Sequence, residues 1–364
     1  MKAAPQVSVV VRSMARPSLD AALAALAAQD YPRLEVVVVA ACGAAHPEVP
    51  PNAGAHPLRL VRSDAALSRP RAGNVGLLHA RGDWITFLDD DDVCLAEHVS
   101  GLVQAATSAA TGDATVEVVY SYARARFRNG TEQRFGLPYS LMELYERNFI
   151  HLSTALFARG AVEGGCRFDE SLDVHEDWDF FLQLAQRRPL HFVPRETFVW
   201  NADAGSSGAG GGANQDDPRF AAYRDRVYAK WGAQRDALVD RVEPLLHAAA
   251  NAAQRGELAV ASATCEQVLQ ISPNDPFALN LRAMIERAGN DLAASRRTQE
   301  MAAAVRPHDP DFAYNLALVC RDTGDLAAAR GHVARALVLD PTNARARALA
   351  SALAAAPNLP TTTV

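Results

Sequence analysis

The chain has 364 residues, 49% of them hydrophobic and 21% charged, with a net charge of −6. Those figures allow about two domains with sizeable cores and exclude a largely disordered chain. They leave no basic footprint of the kind that nucleic-acid binding needs, and no apolar run reaches the roughly 18–20 residues that cross a bilayer.

The N-terminal "MKAAPQVSVVVRS" has a short apolar run that carries Arg12, so it reads as a strand and not as a secretory signal. Then "PSLDAALAALAAQD" has helical spacing, "RLEVVVVAA" and "HPLRLVRS" read as strands, "RPRAGNVGLLHARG" as a helix and "DWITFL" as a strand. This alternation implies an α/β fold, with a mixed, mostly parallel, Rossmann-like sheet covered on both faces. Such sheets bind ligands beyond the carboxyl ends of their strands. Asp89, Asp90, Asp91 and Asp92 fall at such an end.

Four adjacent carboxylates repel one another unless a cation neutralises them. Hard oxygen ligands suit Mg2+ or Mn2+, which bridge to substrate phosphates. Asp92 has a second reading, as the cap of a helix over "CLAEHVSGLVQAA". Further along, Asn129-Gly130 signals a two-residue hairpin turn. Tyr122, Arg124, Arg126 and Arg128 would share one face, either a solvated edge or a basic wall for an acidic ligand. In "FDESLDVHEDWDFFLQLAQR", Glu176, Asp177 and Asp179 open an amphipathic helix. There they act either as favourable charges at the helix N-terminus or, for one of them, as a general base. The glycine-rich Asn201–Asp217 segment is either a flexible linker or a lid, with Ser206 and Ser207 as its phosphate contacts. Cys42, Cys94, Cys166, Cys265 and Cys320 form no CxxC pair, which argues against disulfides and zinc.

After about residue 240 the pattern changes to alanine-rich helices. Pro273, Pro307 and Pro341 recur every 34 residues, as do Gly256, Asn290 and Gly324. Ala249, Ala283 and Ala317 sit where first helices approach closely, and Ala261, Ser295 and Ala329 do the same in second helices. This resembles the tetratricopeptide repeat. The expected division is a first domain over 1–235, a linker at 236–241, three repeats plus a capping helix over 242–356, and a flexible tail at 357–364. The repeats would form an all-α solenoid that binds a protein partner or a second copy of the chain.

Three segments in the first half, "VSVVVRSMARPSLDAALAALAAQDYPRLEVVVV", "RAGNVGLLHARGDWITFLDDDD" and "FDESLDVHEDWDFFLQLA", together resemble family 2 glycosyltransferases. The resemblance covers roughly residues 6–200. It implies a GT-A fold, a nucleotide-diphosphate sugar donor, a saccharide or glycoconjugate acceptor, a divalent cation (Mn2+ or Mg2+) and inversion at the anomeric carbon. It assigns Asp91, with Asp89, to the metal. Arg12, Ala41, Arg71, Asp89 and Asp90 are assigned to the donor, Arg71 with a second reading as a solvated helix residue, Asp177 to the catalytic base and Glu176 to an acceptor-binding or orienting role beside it. Trp178 is expected either in the core or against an acceptor sugar. One departure stands out: Ala41 occupies the place where the family has an acidic residue facing the nucleotide base. The expected role is a cytoplasmic enzyme, at most peripheral to the inner face of the membrane, in surface polysaccharide or glycoconjugate synthesis. The competing expectation is a catalytically impaired scaffold that recruits partners through its repeats. A nucleotidyltransferase fits less well, because "VRSMARPS" has no phosphate-binding glycines.

Overall fold

Seven consecutive buried residues, Val7–Ser13, make strand β1, and seven more, Leu34–Ala40, make β2. Burial on both faces is what a parallel strand under two helical layers requires, so these runs show no polar alternation. The computed structural model describes residues 4–109, 115–202 and 218–355. Chain order continues with α1 Leu19–Ala27, β3 Asn52–Ala53, β4 His56–Val61, α2 Arg69–His79, β5 Trp84–Asp89, β6 Val93–Cys94, α3 His98–Ala109, β7 Val118–Arg126 and β8 Glu132–Phe135. Then come α4 Leu141–Glu146, β9 Ala155–Ala158, α5 Arg159–Glu163, α6 Glu176–Arg187 and β10 His191–Asn201.

Strands β4, β2, β1 and β5 lie side by side and parallel. Beyond β5 the sheet becomes mixed: β9 is antiparallel to β5 and β7, β10 is parallel to β7, β6 closes antiparallel on β10, and β8 pairs off β7. The chain winds outward from β1 through β2 to β4, then returns to place β5 on the other side of β1. That reversal opens a crevice at the carboxyl ends of β1 and β5, where ligands of such sheets bind. Val7, Val9 and Val11 pack in one core with Leu19, Leu23 and Leu26 of α1 and Val99 and Leu102 of α3. Val10 faces the opposite way, against α2 at Gly76.

The hairpin at Asn129-Gly130 forms, but its loop spans residues 127–131 and not two residues, since Arg126 pairs with Glu132. The Asn129 side chain accepts from the N–H and hydroxyl of Thr131, and Gly130 alone of the pair has a left-handed φ. Arg124 and Arg126 pair with Glu196 and Glu132 on this edge, so it is a charge-compensated face.

Two compact units divide the chain: Met1–Leu137 with Leu144–Gly232, and Pro138–Glu143 with Ala233–Val364. Helix α7, Pro218–Gln254, runs unbroken through residues 236–241, so the expected linker is helical. Residues 236–241, "DALVDR", have no glycine or proline and include Ala, Leu and Arg, which favour the helix, and the helix continues past Pro244. In the second unit α9 (Pro276–Ala288), α11 (Pro310–Asp322) and α13 (Ala344–Ala355) alternate with α8 (Leu258–Ile271), α10 (Leu292–Val305) and α12 (Leu326–Leu339). Each series repeats every 34 residues, so the all-α part is a tetratricopeptide-type solenoid. Asp275 and Asp309 cap α9 and α11, each followed by a proline in the first helical turn. Gly256, Asn290 and Gly324 all take left-handed φ at the helix ends, which explains their shared spacing. Ala249, Ala261, Ala283, Ser295, Ala317 and Ala329 are fully buried. Buried Glu143 pairs with Arg306 at 2.6 Å within this unit. Among the described residues no helix is long and apolar enough to cross a membrane. The tail 357–364 lies outside them.

Candidate active site

A cavity of about 740 Å³ opens over the carboxyl ends of β1 and β5. Arg12, the next-to-last residue of β1, stands directly across from Asp89, the last of β5. Its guanidinium donates to both Asp89 oxygens at 3.0 Å and to Glu176 at 3.1 Å. Arg69, in the first turn of α2, reaches Asp89 at 3.0 Å and Glu176 at 3.6 Å. Four alternating charges from β1, β5, α2 and α6 thus close a ring. Burial works against ionisation of Asp89, but Arg12 and then Arg69 outweigh it and hold its carboxyl well below the usual range.

The other aspartates diverge in role. Asp90 is fully buried and accepts from Arg16, the Met14 N–H and the Ser13 hydroxyl, which fixes the turn after β1. Asp91 pairs with Arg16 at 3.0 Å and lines the cavity. Its carboxyl is pushed up by burial and then by the charge on Asp89. Asp92 does not cap α3. Its oxygen accepts from the N–H of Asn201, at the end of β10, because the short β6 lies between it and the helix. Burial raises its carboxyl well above the ordinary range. The Asn201 side chain donates to the Asp91 carbonyl, so β10 clamps the aspartate turn twice.

Glu176 and Asp177 open α6, where the helix dipole favours negative charge. His175 before them has a left-handed φ of 64°, a strained setting for a non-glycine residue. Glu176 is buried in the arginine ring. Asp177 is half-buried, lines the cavity and accepts from the Trp178 N–H. Burial, and then the neighbouring Glu176 charge, push its carboxyl up to about 6. Among the described residues no ion pair holds it.

Residues 8–164 match the family described as glycosyl transferase family 2. Over that stretch the first unit is similar to family 2 glycosyltransferases. Among curated proteins nothing matches. Of solved structures, Staphylococcus aureus TarS 1–349 aligns over 83% of this chain and 90% of its own, at 15% identity and a TM-score of 0.47. Thermobaculum terrenum O-GlcNAc transferase aligns over 32% of this chain and 22% of its own, at 24% identity and a TM-score of 0.31. The Yersinia enterocolitica chaperone SycD aligns over 32% of this chain and 93% of its own, at 18% identity and a TM-score of 0.30.

In this unit Ala41 lines the cavity along with Leu67 and Met14, so the place of the expected acidic residue is apolar. Arg71 is exposed on α2 and outside the cavity wall. Two helical residues turn by about 200°, which puts Arg69 inward and Arg71 outward. Trp178 is 1% exposed, and its indole N–H donates to the Leu144 carbonyl. It packs edge-on against His175 and Tyr228, so it is a core residue with no open face for a sugar. Ser206 and Ser207 lie outside the described residues.

Among the described residues no three metal-ligating side chains converge. A cation would therefore take most of its oxygen ligands from phosphate and water, which suits Mg2+ and Mn2+. Asp91 fits that role, since it lines the cavity and a cation would offset the burial and the Asp89 charge that raise its carboxyl. Asp89 does not fit, because both of its oxygens are engaged by guanidinium groups. Arg16, Arg69, His151, Trp200 and Asn201 also build the site, and the sequence reading missed them. The clearest signal for the last pair was "VWN", a strand end just before the glycine-rich segment.

Proposed function

We propose that the chain is an inverting glycosyltransferase that moves a sugar from a nucleotide-diphosphate donor to an acceptor hydroxyl. The observation that carries this is the placement of Asp91 and Asp177 on the wall of one cavity. Asp177, with its carboxyl near 6, is ionised at neutral pH and basic enough to take a proton. The Asp177 carboxylate takes the proton of the acceptor hydroxyl as the acceptor's oxygen bonds to the anomeric carbon. The bond from that carbon to the phosphate oxygen breaks on the opposite face, and the nucleoside diphosphate leaves with the electron pair. A single displacement of this kind inverts the centre. Asp91 would hold a divalent cation, which when bound supplies charge stabilisation to the leaving diphosphate. Glu176 orients the base through Arg12 and Arg69. Arg12, Asp89 and Asp90 shape the donor floor from beneath rather than by direct contact. Ala41 and Leu67 offer the nucleotide base an apolar seat in place of a carboxylate.

The transferase would occupy 1–235 and the repeats 242–356, which we take as a protein-binding surface for a partner or a second copy. Action at the cytoplasmic side in glycoconjugate synthesis belongs to the same reading. The apolar setting of Ala41 favours one alternative, an impaired transferase acting as a scaffold. Thermal-shift titration against nucleotide sugars with Mn2+ separates the two. A rise in melting temperature with one donor class, lost in Asp91→Asn, supports the enzyme. No rise with any nucleotide sugar would leave the scaffold.

A further inference from the structure

Trp200 has no part in the reaction above, yet it lines the same cavity. It is the next-to-last residue of β10, beside Asn201, whose two hydrogen bonds clamp Asp92 and the backbone of Asp91. That places the indole next to the aspartate turn, in the part of the cavity built by β7, β8 and β10. Ala41 and Leu67, the seat for the nucleotide base, follow β2 and β4 respectively, on the far side of β1 and β5 in the sheet order. The donor's base and the indole therefore belong to opposite ends of one cavity.

The ring is held in place. Phe135 meets it edge-on, with centroids 5.4 Å apart at 66°. His151 lies 5.2 Å away on another side, and burial pushes its imidazole down to about 4, so it is neutral at physiological pH. Trp200 is only partly buried and lines the cavity. A large aromatic ring kept rigid by its neighbours, and left partly open beside a catalytic centre, presents contact area at little entropic cost.

We propose that Trp200 is the platform of an acceptor subsite and stacks against the apolar C–H face of an acceptor pyranose ring. The proposal rests on the glycosyltransfer reading above. It assigns to Trp200 the contact that the sequence suggested for Trp178.

The test uses the full chain and its Trp200→Ala and Trp200→Phe variants, with nucleoside diphosphate and diamagnetic Mg2+ present. Saturation-transfer NMR with a panel of methyl pyranosides reads contact with the sugar ring. In parallel, thermal shift with nucleotide sugars reads the donor half. The expected result is ring-proton saturation by at least one pyranoside on the wild type. Affinity should fall about 3–10-fold in Trp200→Ala and less in Trp200→Phe. The donor-induced shift should persist in Trp200→Phe, which keeps an aromatic ring against Phe135 and so guards against misfolding of the alanine variant. A donor shift together with unchanged pyranoside affinity in both variants, or with no pyranoside binding to the wild type, overturns the proposal alone. Loss of every donor shift in the wild type overturns the glycosyltransfer reading, and the proposal with it.

Discussion

Asp177 has two properties that pull in opposite directions. A carboxyl raised to about 6 is a useful base at neutral pH, and it is also a strained charge. The activity of the full enzyme should therefore rise with pH through about 6 and level off above it, and a kcat/KM profile flat from pH 5 to 8 would contradict the assignment. Asp177→Asn should lower turnover by about 10²–10⁴-fold. The same variant should be more stable than the wild type at pH 7. The folded chain binds the Asp177 proton more tightly than the unfolded chain does, so stability falls as pH climbs from about 4 to about 6. Removing that charge should return about 1–3 kcal/mol at pH 7, and nothing below about pH 4. Thermal melts at the two pH values check both the sign and the window.

At the level of elements, α2 matters because it brings Arg69 to the ring of charges. It lies close enough to β1 that a Cβ on Gly76 would come within 2.2 Å of the Val10 side chain. Gly76→Ala should therefore destabilise the first unit by about 1–3 kcal/mol through overpacking, read by denaturant melts. A neutral outcome would mean that α2 can lift off the sheet. In the repeats, Asn290 takes the left-handed φ that Gly256 and Gly324 take at the same step. Asn290→Ala should cost about 1 kcal/mol and Asn290→Gly much less. Equal melting temperatures for the two variants would sink that explanation.

At the scale of the whole molecule, the repeats were legible because a 34-residue period is written redundantly, in prolines, turn residues and small helix-contact residues at once. The parallel strands were legible because burial on both faces leaves an unbroken apolar run. The partners of the aspartates were not. Four adjacent carboxylates say that charge must be balanced, but only the fold decides that Arg12 and Arg69 balance Asp89, Arg16 balances Asp90, and Asn201 holds Asp92. Those partners lie up to about 110 residues away in sequence. Arg71 has the solvated reading for a different reason: two residues along the helix turn a side chain by about 200°, so Arg69 faces the cavity and Arg71 the solvent. For Trp178 the core reading holds, because a helix flanked by core aromatics buries its tryptophan. The half-open tryptophan of the cavity is Trp200, in a strand end where apolar periodicity gives no warning.

The central claim is that one cavity holds a donor through a cation at Asp91 and deprotonates an acceptor at Asp177. Donor turnover by the full chain, with and without Mn2+, in the wild type, Asp91→Asn and Asp177→Asn, tests it most directly. The account predicts metal-dependent turnover in the wild type, loss of the metal response in Asp91→Asn, and retained donor binding with turnover lost in Asp177→Asn. Full turnover in either variant would contradict it.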